Sequence, residues 1–274
     1  MAVFQPMFTD SHCHLTFPEL ASQLPAIRQA MQQAQVDRAL CICTTMEEFA
    51  QVHALALAHD NFWCSVGVHP DNEGVTEPTE QDLRAHAALP RVVAIGETGL
   101  DYYGMEDRKG GRSIADLEWQ RARFRTHIRA ARAVGKPLVI HTRSASEDTL
   151  AILREEGEDG AGNRAGGVFH CFTESMAVAR AALDLGYYIS FSGIVTFKSA
   201  QELRDVAAFV PMDRMLIETD SPYLAPVPYR GKTNTPAYVP YVAQQIATVR
   251  GIGVQAVAEA TSRNFEALFA GVRA

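Results

Sequence analysis

The chain has 274 residues, 47% of them hydrophobic and 21% charged, and a formal net charge of −7 with its nine histidines counted neutral. No apolar run approaches the roughly 18 residues a membrane helix needs, which argues against a membrane-spanning helix. The acidic balance argues against a protein that coats a long stretch of nucleic acid, where a basic face is the footprint, but not against a pocket that takes one or two phosphates beside bound cations.

Short apolar runs alternate with longer amphipathic ones along the whole sequence. In chain order the pattern predicts a strand at Met7–Ser11, a helix at Ala26–Gln35, a strand at Arg38–Thr44 and a helix at Met46–His59. A strand at Phe62–Val68, a helix at Gln81–Leu89, a strand at Val92–Glu97 and a helix at Glu118–Gly135 follow. Then come strand Pro137–His141, helix Ser146–Glu155, strand Gly167–Cys171, helix Ser175–Leu185, strand Tyr187–Ser192, helix Ala200–Phe209 and strand Arg214–Glu218. Helices at Pro240–Arg250 and Val254–Phe269 end the chain. Nearly continuous apolar strands suit a parallel sheet covered on both faces. Eight of them alternating with helices is the count for a closed (β/α)8 TIM barrel, a fold of about 250 residues, whereas a doubly wound sheet more often stops at five or six strands. No low-complexity linker divides the sequence, so residues 1–274 are expected to form one barrel domain. The first residues, MAVFQPMFTD, lack a basic stretch followed by a signal-type apolar core, so a cytoplasmic protein is expected. The five cysteines form no CxxC pair and lie mostly in apolar strand segments, as reduced core thiols would.

Polar residues fall where the strands end. In DSHCH, His12 and His14 are two apart, and residues i and i+2 of a strand point the same way, so both can reach one ion. A lone His-x-His is as well explained by surface or core histidines. Its weight comes from company: Glu97 follows the fourth strand, His141 and His170 end the fifth and sixth, and Glu218 and Asp220 end the eighth. A metal-capable side chain at the end of five of eight strands, all at the mouth where barrel enzymes place their sites, is more than stability needs, since a buried carboxylate is costly unless paired or coordinated. His69, in GVHP past the third strand, points to the same mouth and suits a substrate phosphate or the leaving group; capping a strand is its bland alternative. Arg143, two residues past His141, is placed to receive an anionic oxygen, with a structural salt bridge as the competing role. Two long loops follow carboxylate-bearing strands, Asp101–Ala115 and Ser221–Pro236. They carry Tyr102, Tyr103 and Tyr223, which suit stacking on a base or packing on their own loop. Arg230 and Lys232, on the second loop, are further candidates for holding a phosphate.

The segments FTDSHCHL, SVGVHP, AIGETGLDYY, KPLVIHTR, GGVFHCF, YYISFSGIVTF, LIETDSPYLAPVPYRGKTNTP and NFEALF resemble, in order, the TatD family of metal-dependent deoxyribonucleases within the amidohydrolase superfamily. The resemblance runs from residue 8 to residue 269. One departure is Thr16, where the family commonly has Asp; it lies outside the ligand set. The resemblance implies two divalent metal ions: His12, His14 and Asp220 on the first, His141 and His170 on the second, and Glu97 bridging them. Such mixed imidazole and carboxylate ligands suit Zn, Mn, Ni or Co, with Mg at lower affinity. Asp220 would double as general base, and Glu218 would orient a histidine ligand. The implied activity is a 3′→5′ exodeoxyribonuclease acting on DNA ends, single-stranded and with a short footprint, as a monomer. The same site serves an amide or ester hydrolase, for example one acting on aminoacyl-tRNA, and the non-enzyme alternative is a metal-binding scaffold.

Overall fold

The computed structural model describes residues 7–105, 111–159 and 162–273. Eight strands, β1 (Phe8–Cys13), β2 (Val36–Cys41), β3 (Phe62–Val66), β4 (Val92–Asp101), β5 (Leu138–Arg143), β6 (Gly167–Phe169), β7 (Tyr188–Phe191) and β8 (Met215–Ile217), form one sheet in sequence order. Every neighbouring pair is parallel. Just past β8 the chain returns to β1: the Asp220 amide donates to the His12 carbonyl at 2.9 Å and the His14 amide to the Ser221 carbonyl at 2.8 Å. The architecture is the expected (β/α)8 barrel. Its helices are α1 (Pro18–Ala21), α2 (Leu24–Gln33), α3 (Phe49–Ala58), α4 (Glu80–Ala87), α5 (Glu118–Val134), α6 (Ser146–Glu155), α7 (Met176–Asp184), α8 (Gln201–Phe209), α9 (Val239–Arg250) and α10 (Val254–Leu268). Among the described residues no helix is long and apolar enough to cross a membrane.

The period of two along each strand divides the core. Ala39 and Cys41 pack outward with helix residues such as Ile27, Val52 and Phe124, while Leu40 and Ile42 join Trp63, Val93, Val139 and Leu216 in a second cluster. Phe265 and Phe269 of the closing NFEALF segment belong to that second cluster, beside Trp63 and Val93 near the first residues of β3 and β4. The opposite end is left as the mouth. All five cysteines carry free thiols, four of them buried in the core.

Most boundaries shift by one to three residues from the sequence expectation, and two of the shifts have clear local reasons. Helix α3 begins at Phe49, not Met46, because residues 46–48 form a separate turn: the Glu48 amide donates to Thr45 Oγ1 at 3.2 Å, and Glu48 Oε1 accepts from the Thr44 and Thr45 amides. Strand β4 runs on to Asp101 rather than ending at Glu97. Its register on β5 shifts between Ile95 and Thr98, and Thr98 to Asp101 then pair with Ile140 to Arg143. Gly99, at φ +128°, permits this; a Cβ there would lie 1.9 Å from the His141 carbonyl oxygen. The irregular stretch turns Glu97 into the barrel mouth, and the Glu97 amide is anchored on the Cys43 carbonyl at 2.9 Å.

Candidate active site

The structure brings His12, His14, Glu97, His141, His170 and Asp220 together in one buried cluster at the mouth. His12 Nε2 lies 3.2 Å from His14 Nε2, 3.4 Å from Glu97 Oε2 and 3.5 Å from Asp220 Oδ1. His14 Nε2 lies 3.4 Å from Asp220 Oδ1 and 3.9 Å from Glu97 Oε2. These spacings are close to those of ligands around one ion, since ligands about 2.1 Å from a tetrahedral ion would be about 3.4 Å apart. The other Glu97 oxygen, Oε1, faces a different set: it is 2.8 Å from His170 Nε2 and 3.2 Å from His141 Nδ1, which are 3.4 Å from each other. Glu97 thus turns one oxygen to each group. His170 also groups with His12 and Asp220, its ring stacked on that of His12 at 3.9 Å, so the two sets are contiguous.

The tautomers fit a cation. Glu218 Oε1 accepts from the Cys171 amide at 2.8 Å and lies 3.2 Å from His170 Nδ1, which therefore carries the proton. Asp101 Oδ2 does the same for His141 at Nε2, 3.2 Å away. The free lone pairs of His170 Nε2 and His141 Nδ1 are then aimed at the carboxylate oxygen of Glu97. A positive charge has to lie among these donors: a cation in a metal ligand set, or otherwise a proton on the imidazole, since Glu97 and Glu218 outweigh burial and raise His170 well above the usual imidazole range. Burial would raise the Glu97 carboxyl, but His170, His69 and His12 hold it well below the usual carboxylate range. Asp220 is likewise kept ionised: burial opposes it, and His14, His12 and His170 outweigh burial. Glu218 holds the orienting place expected of it. Asp101 does the matching job for His141, a role its position at the head of a loop did not announce. Asp10, pushed up to about 8 by burial, accepts from the Thr219 amide and hydroxyl and from the His12 amide, tying β1 to the segment that carries Asp220.

His69 reaches the cluster from the loop past β3 and groups with Glu97 and His141 closely enough to share an ion. Its Nδ1 accepts from the Asp71 amide at 3.0 Å, so Nε2 bears the proton and points at Glu97 Oε1, 3.4 Å away. Burial lowers its pKa to about 4, which leaves a neutral donor over the cavity. Helix α5 fixes this loop. Arg123 Nη1 donates to the His69 and Asn72 carbonyls at 2.8 and 2.9 Å, and one turn on His127 Nε2 accepts from the Val68 amide at 3.0 Å. Burial holds His127 at a pKa of about 4, against 6.5 when exposed. Above pH 6.5 both folded and unfolded chains carry it neutral. Between 6.5 and 4 only the unfolded chain takes the proton, so stability falls as pH falls through that window. The full effect is on the order of 3 kcal/mol. Denaturant unfolding at pH 7, 5.5 and 4.5 should show a steeper acid loss in the parent than in His127→Gln; identical slopes would remove His127 from the account.

A cavity of about 620 Å³ opens above the cluster, lined by His14, Phe17, Thr44, His69, Asn72, Glu97, His141, Arg143, His170, Asp220, Tyr223 and others. Its size falls within the roughly 300–1,000 Å³ of small-ligand sites. Arg143 lies on this lining, its guanidinium 3.6 Å over the Tyr103 ring and in no salt bridge among the described residues. Three expected substrate contacts are not on the lining. Tyr102 is buried, its hydroxyl donating to Asp148 at 2.8 Å and accepting from Arg121, so Tyr103 is the exposed ring of that pair. Arg230 lies over Phe197 and Lys232 over Tyr229, out on the second loop. Residues 106–110 of the first loop lie outside the described residues. The sequence reading missed Phe17, whose ring stacks on His14 at 4.6 Å; an aromatic three residues past the His-x-His was the available signal.

A model of the family described as TatD related DNase matches residues 9–270. An uncharacterized metal-dependent hydrolase, YcfH, of Escherichia coli strain K12 is 46% identical, covering 95% of this chain and 94% of its own. A protein of Enterobacter lignolyticus named 3′-5′ ssDNA/RNA exonuclease TatD is 33% identical, covering 95% and 98%. Among solved structures, the TatD homologue YjjV of Escherichia coli K12 superposes with a TM-score of 0.86 at 28% identity, over 96% of this chain and 98% of that one.

Proposed function

The chain belongs to the TatD-related DNase family of metal-dependent hydrolases, and we propose that it is a 3′→5′ exonuclease acting on single-stranded DNA ends. The observation that carries the reading is the division of Glu97 between two donor sets. It supports His12, His14 and Asp220 as the holders of one divalent cation, His141 and His170 as the holders of a second, and Glu97 as the bridge. Cations there would lower the pKa of a water and stabilise charge on the phosphoryl oxygens. The name of the Enterobacter relative supports phosphodiester chemistry.

The chain's own residues supply the rest. Asp220, ionised and partly open to the cavity with its side chain 15% exposed, takes the proton of the attacking water. His69 donates its Nε2 proton in a hydrogen bond to a phosphate oxygen, and Arg143, propped on Tyr103, holds a second anionic oxygen. Asp101 and Glu218 keep the two imidazoles turned with their lone pairs inward.

A turnover panel tests this. Purified protein is assayed with Zn, Mn, Co, Ni and Mg on 5′-labelled single-stranded DNA, aminoacyl-tRNA and small amides. Stepwise shortening from the 3′ end is expected. Turnover confined to the ester or amide substrates would replace the reading.

A further inference from the structure

The cavity is lined by two unlike sets of residues. Its lining includes the polar His69, Asn72 and Arg143, and separately Phe17, Ile194, Tyr223 and Leu224, whose four side chains carry a single polar group, the Tyr223 hydroxyl. Phe17 and Tyr223 meet with ring centroids 6.3 Å apart at 72°, a corner rather than a parallel slot. A flat group entering it lies against the face of one ring with its edge to the other.

Tyr223 is 52% exposed, yet the loop that carries it is firmly built. The buried Asn234 donates from Nδ2 to the Thr219 and Tyr223 carbonyls at 2.9 and 2.7 Å, and its amide donates to the Pro222 carbonyl at 3.0 Å. The other side of the corner is equally fixed. A Cβ on Gly193 would lie 2.0 Å from the Leu224 carbonyl oxygen, so the missing side chain lets the loop close onto the segment that presents Ile194. An exposed aromatic held by a buried amide is preorganised for a ligand rather than left over from packing.

We propose that this corner seats the base of the 3′-terminal nucleotide and recognises it by its face, while its phosphate reaches the polar residues of the lining. The proposal rests on the exonuclease reading and adds what that reading lacks, a subsite that requires a base without choosing among bases. Edge readout needs several placed donors and acceptors, and four side chains with one hydroxyl among them do not supply these; stacking tolerates any base.

The test compares single-stranded oligonucleotides that differ only in the 3′-terminal residue: each of the four bases, or an abasic tetrahydrofuran. The wild-type protein should cut the four within about three-fold of one another and the abasic end on the order of ten-fold less efficiently in kcat/KM. Y223A should lose about ten-fold on normal ends, mainly through KM, with a much smaller penalty on the abasic end; Y223F should behave as the parent. Equal cutting of normal and abasic ends would overturn the subsite while leaving the exonuclease reading intact. So would an equal Y223A penalty on both, or a strong preference for one base. Absence of shortening on every oligonucleotide with every metal would overturn the exonuclease reading and the subsite with it.

Discussion

Glu97→Ala is expected to lower turnover by at least about a thousand-fold and to reduce bound metal, while the barrel stays folded. The residue is 2% exposed, and its two oxygens face different donor sets. Removing it would leave two cations held by His12, His14, His141 and His170 with half the carboxylate charge of the proposed ligand set, and like-charged cations in a site of low effective dielectric repel strongly. Glu97→Gln separates charge from packing: the glutamine side chain keeps the volume but not the charge, so it should fail nearly as badly. Metal content by elemental analysis, circular dichroism for the fold and turnover on the best substrate of the panel are the three readouts. Two fully occupied sites with normal turnover in Glu97→Ala would refute the bridging role.

The parts of this site that the sequence disclosed were those governed by strand period and strand end. His12 and His14 share a direction because they are two apart, and His141 and His170 stand where apolar runs stop. Roles set by hydrogen bonds across the barrel were harder to read. Asp101 orients His141 only because β4 changes register past Ile95 and continues four residues beyond Glu97, and GETGLD reads as readily as the start of a loop. Tyr102 and Tyr103 are neighbours with equal chemistry, and which one turns inward is decided by Asp148 and Arg121, 46 and 19 residues away. Arg230 and Lys232 share a loop with Tyr223, but that loop is shaped by Asn234, whose donations to the Thr219 and Tyr223 carbonyls no local pattern signals.

Closed single-stranded circles should survive under conditions in which linear strands of equal length are shortened, a difference of at least about a hundred-fold in rate when free ends are the only route into a closed pocket. The cavity opens at the mouth, above the cluster of histidines and carboxylates. Its volume of about 620 Å³ suits a nucleotide or two rather than a strand passing through. A chain of net charge −7 offers little long-range attraction to a polyanion, so affinity has to come from the mouth itself: the cations, His69 and Arg143. Each phosphate neutralised by a basic side chain adds about −0.7 to the slope of log affinity against log salt for a single strand. One or two such contacts give a slope shallower than about −1.5, against the steep dependence of a nuclease with a long basic groove. Both measurements use the same metal and the same labelled strand, before and after ligation into a circle. Equal cutting of circle and line would make the protein an endonuclease and require an open groove where the structure has a pocket. A steep slope with circles still resistant would instead place cationic contacts beyond the mouth, with Arg230 and Lys232 on the outer loop as the first residues to replace.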